Sequence, residues 1–163
     1  MDARTGSLGL GSDKRSLDRA LWLALLVPGG LLAGAYASQI FGGLHPCEMC
    51  WWQRYGHFAG LTAATLALLL PPARRPLLLL AALGIAVSGA IAVYHAGVEA
   101  RWWEGFTTCT ATGAKTLQDI LRTPLIRCDQ VQWSFLGLSM AAWNAIFSLS
   151  AAGAIAWLTL RRR

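Results

Sequence analysis

Two cysteines separated by two residues, Cys47 and Cys50, lie in the segment HPCEMCWWQR, which ends at Arg54. A Cys-x-x-Cys pair can exchange electrons as a dithiol and disulfide, hold a metal, attach a haem or brace a loop. Haem attachment is excluded because it requires a histidine directly after the second cysteine, where this chain has tryptophan. A disulfide across so short a ring constrains little of the unfolded chain, so the spacing favours a redox role over a structural one.

The other two cysteines, Cys109 and Cys128, have 18 residues between them. A disulfide closing that loop would stabilise the fold by about 3 kcal/mol in the chain-entropy picture, so a structural bridge is a reasonable alternative for this pair. The four cysteines together could also form a tetrahedral zinc site, although such sites favour a second closely spaced pair. Redox work, structural bridges and metal binding therefore all stay open on spacing alone, with redox work favoured.

The elements that would position these cysteines are hydrophobic helices. Of the 163 residues, 55% are hydrophobic and 13% charged, against roughly 25% charged in an average soluble domain. Because a spanning helix needs about 20 mostly apolar residues, the long apolar stretches predict four transmembrane helices. They belong to a single domain, 1–163, which begins with an N-terminal tail, 1–19. The predicted helices cover residues 20–41, 51–70, 76–98 and 135–160.

The first apolar stretch also resembles a secretory signal peptide, since basic residues precede it and AYAS (35–38) resembles a cleavage site. The apolar run continues to Phe41, which is too long for a signal core, so a retained helix is favoured. Gly30 and Gly34 form a Gly-x-x-x-Gly motif, which predicts close packing against another helix.

Basic residues predict how the chain lies in the membrane. They cluster in the tail, at Arg74 and Arg75 between the second and third helices, and at the C-terminal end. The positive-inside rule therefore puts both termini in the cytoplasm and two loops, 42–50 and 99–134, outside. All four cysteines lie in these outer loops, which in a bacterium face the oxidising periplasm. The net charge of +6 is dispersed among these clusters and lacks the single basic footprint of a nucleic-acid-binding protein.

Electrons from a periplasmic dithiol need an acceptor. The sequence has no Gly-x-Gly-x-x-Gly motif and no cysteine set spaced for an iron–sulfur cluster, so a lipid-soluble quinone remains. Arg54 lies four positions after Cys50 and would share a helix face with it. Its guanidinium could hydrogen-bond a quinone carbonyl and raise the thiolate fraction of Cys50, or it could simply extend to the lipid headgroups.

Three features together resemble the disulfide-bond formation protein B (DsbB) family over nearly the whole chain: CEMCWWQR, the pair Cys109 and Cys128, and CDQVQWSFLGLSMAAWN (128–144). The resemblance implies an all-α, multi-pass protein of the bacterial inner membrane, a four-helix transmembrane bundle with two outer periplasmic loops. It implies an enzyme that reoxidises a DsbA-like thioredoxin-fold periplasmic oxidase and passes the electrons to a membrane quinone, either ubiquinone or menaquinone.

The resemblance also implies roles for individual residues. The oxidase would attack Cys109, Cys128 would then attack Cys47, and Cys50 would donate as a thiolate to the quinone, oriented by Arg54. His95 corresponds to a family histidine near the quinone, with a histidine at the headgroup interface as the alternative. His57 is expected near the same site without a catalytic role, and no residue is predicted to bind a metal.

The second outer loop is predicted to carry a short interfacial helix. TLQD (116–119) is typical of a helix start, and leucine and isoleucine residues follow at near-helical spacing, so the helix would lie on the membrane surface. A loop that packs its own leucines is the alternative. The loop is shorter than in the best-known family members, which leaves open whether the partner is a general or a dedicated oxidase.

Two other readings of the chain stay available. A protein of vitamin K epoxide reductase type also combines a four-helix bundle with Cys-x-x-Cys, but there the separate cysteine pair comes first, and here the order is reversed. A non-catalytic membrane protein with structural disulfides or a metal-holding cysteine set is the alternative from a different class.

Overall fold

The computed structural model describes residues 3–105 and 127–161, with side chains from Asp13 onward. Cys109 and the predicted interfacial helix lie outside the described residues. Within them the chain forms four α-helices: α1 (Ala3–Gly42), α2 (Glu48–Leu69), α3 (Arg74–Glu99) and α4 (Met140–Leu160). A 3-10 turn (Pro71–Ala73) joins α2 to α3, and two short strands precede α4: β1 (Ser134–Phe135) and β2 (Leu138–Ser139).

Three helical segments in the described part of the chain are long and apolar enough to cross a membrane: Asp13–Gly42, Pro71–Glu99 and Met140–Leu160. The remaining helix, α2, has 22 residues, and its first three turns carry polar and charged side chains that lower its mean hydropathy. These polar residues face the interior of the bundle, where Gln53, Arg54 and His57 are buried. The predicted all-α, four-helix membrane bundle is confirmed.

α3 is the central helix of the bundle, packed along both α2 and α4, while α1 lies against α4 and α2. Glycines bring the backbones of α2 and α3 into direct contact. A Cβ added to Gly84 would lie 2.9 Å from the backbone nitrogen of Gly60 and 3.0 Å from the carbonyl oxygen of Gly56. This close approach sets the register between the two helices that carry the cysteine pair and His95.

The prediction of close helix packing at Gly30 and Gly34 is wrong for the described residues. A Cβ added to either glycine would have none of their atoms within 4 Å. Both glycines instead line a cavity between α1 and the rest of the bundle. The absence of side chains at these positions leaves space open rather than bringing two backbones together.

The end of the bundle that carries Arg74 and Arg75 is tied together by ion pairs. Arg74 Nη2 lies 2.6 Å from Asp18 Oδ1, and Arg75 pairs with Asp13, so both arginines are bound to α1. Arg75 Nη1 also donates to the carbonyl oxygen of Thr159 in α4, at 2.6 Å. The helix α1 includes much of the predicted tail, and its Asp13 and Asp18 side chains hold the start of α3.

A tight hairpin occupies the start of the predicted fourth helix, which begins at Met140 rather than at residue 135. Leu136 and Gly137 both have positive φ, 51° and 79°, as a two-residue hairpin turn of type I′ requires. The Ser139 hydroxyl then caps α4 by accepting a hydrogen bond from the backbone N–H of Ala142 at 3.2 Å. The LG pair within SFLGLS is the local signal for this turn.

Candidate functional site: a cysteine cluster beside a cavity

The Cys-x-x-Cys pair lies at the N-terminal end of α2. Cys47 is the N-cap residue, and its sulfur accepts a hydrogen bond from the backbone N–H of Cys50 at 3.4 Å. The two residues are thiols in this structure, and the Cys47 thiol donates to Cys50 Sγ at 3.1 Å. The first turn of the helix therefore brings both sulfurs together and places a proton between them.

Cys128 joins this pair from the other end of the chain. It is buried in a cluster with Cys47, Met49 and Val98. Hydrogen bonding from Cys128, then from Cys50, together with burial, holds the pKa of the Cys47 thiol above its usual range. Cys47 therefore keeps its proton at neutral pH, and three of the four predicted cysteines lie side by side.

His95 of α3 faces the same cluster. Its Nε2 atom lies 3.6 Å from Cys47 Sγ and 3.8 Å from Glu99 Oε1, and the side chain is buried. The histidine is thus enclosed beside the cysteines, unlike a residue exposed at the headgroup interface. Glu99 is a further, partly buried group that the sequence did not single out, and its buried oxygen Oε2 has no hydrogen-bond partner among the described residues.

Arg54 is turned into the protein and is only 6% exposed. Its guanidinium donates to Gln39 Oε1 at 2.8 Å and to the carbonyl oxygen of Ala35 at 3.1 Å, both in α1. The same group lies over the rings of Tyr36 and Trp51, at 4.5 and 4.8 Å from their centres. These contacts offset much of the free-energy cost of burying the charge, and they hold the arginine side chain between α1 and α2.

The buried polar groups border a cavity of about 750 Å³. This volume lies in the range of small-molecule sites, roughly 300–1,000 Å³. Polar and thiol groups form one part of its wall, and apolar side chains form another: Cys50, Gln53, Arg54, His57 and His95 against Leu31, Leu32, Phe41 and Phe147. Two cavity-lining groups, His57 Nδ1 and Glu99 Oε2, have no hydrogen-bond partner among the described residues. The cavity therefore suits a ligand with a compact polar head and an apolar remainder.

A buried hydrogen-bond network that the sequence reading did not identify links α2 to α4. Asn144 Nδ2 donates to Gln53 Oε1 at 2.7 Å, and Asn144 Oδ1 accepts from His57 Nε2 at 2.9 Å and from Ser148 at 2.7 Å. The signal was present in the sequence, because Gln53 and Asn144 are amides within apolar runs, where polar residues mark functional interiors. Only the packing of α2 against α4 reveals that they are partners.

The metal-binding alternative can be compared with the site geometry. The donor atoms of Cys47, Cys50 and His95 all lie within 4.8 Å of one another, as a metal-holding set requires. With Zn–S bonds of about 2.3 Å, however, a tetrahedral ion would hold its sulfurs about 3.8 Å apart. The two sulfurs are 3.1 Å apart and share a hydrogen bond. The distance between the two sulfurs therefore suits a dithiol that can form a disulfide better than a pair of zinc ligands.

The fold and the site together define a helical, multi-pass membrane protein with a buried dithiol at one end of its bundle. Residues 17–158 match the family model described as "Disulfide bond formation protein DsbB". The chain therefore belongs to the DsbB family, as its motifs predicted, and it is a membrane thiol–disulfide oxidoreductase.

Similar proteins named "Disulfide bond formation protein B" occur in several bacteria. The chain is 32% identical to that of Marinobacter nauticus, over 77% of this chain and 81% of the relative. It is 35% identical to that of Aromatoleum aromaticum, over 88% and 94%, and 30% identical to that of Acinetobacter baylyi, over 85% and 89%. No solved structure gives a significant match. The relatives are matched over most of their length, so the similarity covers the whole membrane domain.

Proposed function

We propose that this protein reoxidises a DsbA-like periplasmic dithiol oxidase and passes the electrons through two cysteine pairs to a membrane quinone, ubiquinone or menaquinone. The observation that carries the proposal is the contact of Cys128 with Cys47, which in turn contacts Cys50 at the cavity. Three of the cysteines that must exchange disulfides in succession are thus neighbours.

The exchange steps conserve thiols and disulfides throughout. The reduced oxidase attacks Cys109 of the Cys109–Cys128 disulfide, and its second cysteine then resolves the mixed disulfide, which leaves the oxidase oxidised and both loop cysteines reduced. Cys128 attacks Cys47 of the Cys47–Cys50 disulfide, so a Cys128–Cys47 bond forms and Cys50 leaves as a thiolate. Cys109 then attacks Cys128, which restores the loop disulfide and leaves Cys47 and Cys50 as a dithiol.

The cavity residues would hold the quinone head. Arg54 offers a positive charge at the cavity wall, and Cys50 offers the reacting sulfur. His95 also lines the cavity and lies 3.6 Å from Cys47 Sγ through its Nε2 atom. A quinone supplies an acceptor for two electrons and two protons, the number released when the Cys47–Cys50 dithiol closes to a disulfide. A DsbA-like oxidase is itself a strong oxidant, near −120 mV for DsbA, so its reoxidation requires an acceptor of still higher potential.

The same proposal places both termini in the cytoplasm and the cysteine end in the periplasm. This orientation is supported by the positions of the basic residues and of the cysteines at opposite ends of the bundle. Arg74 and Arg75 lie where α3 begins, and the cysteine cluster packs where α3 ends, at Val98 and Glu99. In this orientation the dithiol faces the compartment in which disulfides are made.

Turnover by the purified protein tests the proposal. Quinone reduction would be followed with a reduced DsbA-like oxidase, using Cys50→Ser and, as a matched control on the exposed side of α2, Tyr55→Phe. We expect Cys50→Ser to abolish turnover and Tyr55→Phe to retain it. A folded protein that reduces neither ubiquinone nor menaquinone would contradict the proposal, and tightly bound zinc in that protein would favour the metal-holding alternative.

A further inference from the structure

We propose that Gln53 and Asn144 are positioning residues that orient His95 and, through Cys47, stabilise the thiolate form of Cys50. The proposal rests on the proposed function, in which Cys50 reacts as a thiolate, but it concerns residues to which that function assigns no role. Its basis is a chain of hydrogen bonds that crosses three helices and runs in one direction.

Gln53 determines the donor-to-acceptor direction of this hydrogen-bond chain. Its Nε2 atom lies 3.2 Å from the carbonyl oxygen of Met49, and a carbonyl can only accept, so the amide nitrogen must be on that side. The same nitrogen lies 3.0 Å from His95 Nδ1. His95 Nδ1 therefore accepts a hydrogen bond, and the proton of the neutral ring is on Nε2. A second ring proton would bring two N–H donors face to face, so Gln53 also favours the neutral ring.

Asn144 holds Gln53 in this orientation. Its Nδ2 atom donates to Gln53 Oε1 at 2.7 Å, which keeps the oxygen of Gln53 toward α4 and its nitrogen toward His95. The oxygen of Asn144 is in turn occupied by donors from His57 and Ser148, at 2.9 and 2.7 Å. Rotating either amide by half a turn would break at least two bonds within the buried interior, so both orientations are strongly preferred.

The chain ends on the cysteine pair. The Nε2–H group of His95 lies 3.6 Å from Cys47 Sγ, and the Cys47 thiol donates to Cys50 Sγ at 3.1 Å. The backbone of Cys128 and the Oε1 atom of Glu99, at 3.8 Å, share the same histidine donor. Each donor in such a chain polarises the next, so a donor to Cys47 makes its S–H group a better donor to Cys50. The acceptor that gains most is a negatively charged sulfur, because hydrogen bonds to ionised groups are roughly twice as strong as neutral ones.

Other charged groups around Cys50 do not supply this directed contact. The titratable or charged side chains that line the same cavity or act on Cys50 come from the loop after α1, from α2 and α3, and from the segment before β1: His45, Arg54, His95, Glu99, Arg127 and Cys128. The guanidinium of Arg54 donates its hydrogen bonds to Gln39 and Ala35 and acts on Cys50 through its charge alone. The Cys47 thiol, by contrast, donates directly to Cys50 Sγ.

The tautomer of His95 tests the first half of the proposal in the unmodified protein. Nitrogen chemical shifts of labelled histidine distinguish a ring protonated at Nε2 from one protonated at Nδ1, and the three histidines can be assigned with His45→Gln and His57→Gln. We expect the Nε2–H form for His95 in the reduced protein. A neutral ring protonated at Nδ1, or a doubly protonated ring at neutral pH, would overturn the proposal.

The ultraviolet absorbance of the thiolate tests the second half. In a background with Cys109→Ser and Cys128→Ser, the pH midpoint of the signal would be compared for Gln53→Met, Asn144→Leu and the control Thr65→Val, which lies on the exposed face of α2 away from the network. We expect each of the first two variants to raise the midpoint by about one unit, a tenfold loss of thiolate at a given pH, and the control to leave it unchanged. Unchanged midpoints in folded Gln53→Met and Asn144→Leu would overturn the proposal. Neither readout involves quinone or an oxidase, so either result is independent of whether the proposed electron acceptor is right.

Discussion

Replacing Arg54 by methionine should weaken quinone use more than it weakens the fold. Methionine fills much of the same space, so the change removes the guanidinium with little change in packing volume. The structure gives that group two hydrogen bonds, 2.8 Å to Gln39 and 3.1 Å to Ala35, and two aromatic faces within 5 Å. The same change also relieves the burial of a charge, which offsets part of the lost contacts.

The magnitude follows from these opposing effects. Hydrogen bonds to charged groups contribute about 1.5–3 kcal/mol each, and removing the buried charge recovers most of that sum as relieved desolvation, so we expect a net stability loss of about 1–2 kcal/mol. Binding of a quinone carbonyl loses its charged donor entirely. One such bond corresponds to about a ten- to hundredfold rise in the KM for quinone.

Steady-state quinone reduction at several quinone concentrations separates the two effects. Arg54→Lys is the matched control, because it keeps the charge but cannot bond Gln39 and Ala35 as a planar fork. Its KM for quinone should therefore lie between that of the wild-type protein and that of Arg54→Met. Thermal unfolding of each variant reports the loss of stability. A KM for quinone that is unchanged in Arg54→Met, with turnover also unchanged, would refute the assignment of this arginine to the quinone site.

Three further predictions follow from particular contacts. Because hydrogen bonding and burial raise the pKa of Cys47, brief alkylation of the reduced protein at neutral pH should label Cys50 before Cys47, and mass spectrometry showing the reverse order would contradict the proton placement. Gly84→Ala should lower the free energy of unfolding by about 1–3 kcal/mol, because its Cβ would meet α2 backbone atoms at 2.9–3.0 Å. The control Gly29→Ala, with open space around it, should stabilise the protein slightly. Equal melting temperatures for the two variants would show that α2 and α3 do not touch at Gly84. Gly34→Phe should raise the KM for quinone with little effect on melting temperature, because the position lines the cavity without touching a neighbour, and an unchanged KM would place the quinone elsewhere.

Much of the fold follows from the sequence because spanning helices depend on local composition. Runs of apolar residues predicted four helices and the loops between them, and CEMCWWQR, the second cysteine pair and the 128–144 segment together indicated the family. The chemistry of the cysteine pair is equally local, since the spacing of Cys47 and Cys50 brings both sulfurs to the first turn of one helix. Helix ends were less predictable where turn residues intervened, as at Gly137, because a type I′ turn interrupts an apolar run without a change in hydropathy.

What only the tertiary structure decided is which side chains meet across helices. The pairing of Gln53 with Asn144, the inward turn of Arg54 and the contact of Cys128 with Cys47 all join residues distant in sequence. Their meeting depends on the register between helices, which the glycine contact of α2 with α3 sets through backbone shape. The same physics explains the error at Gly30 and Gly34: a small residue permits close packing but does not require it, and in α1 the space became a cavity wall.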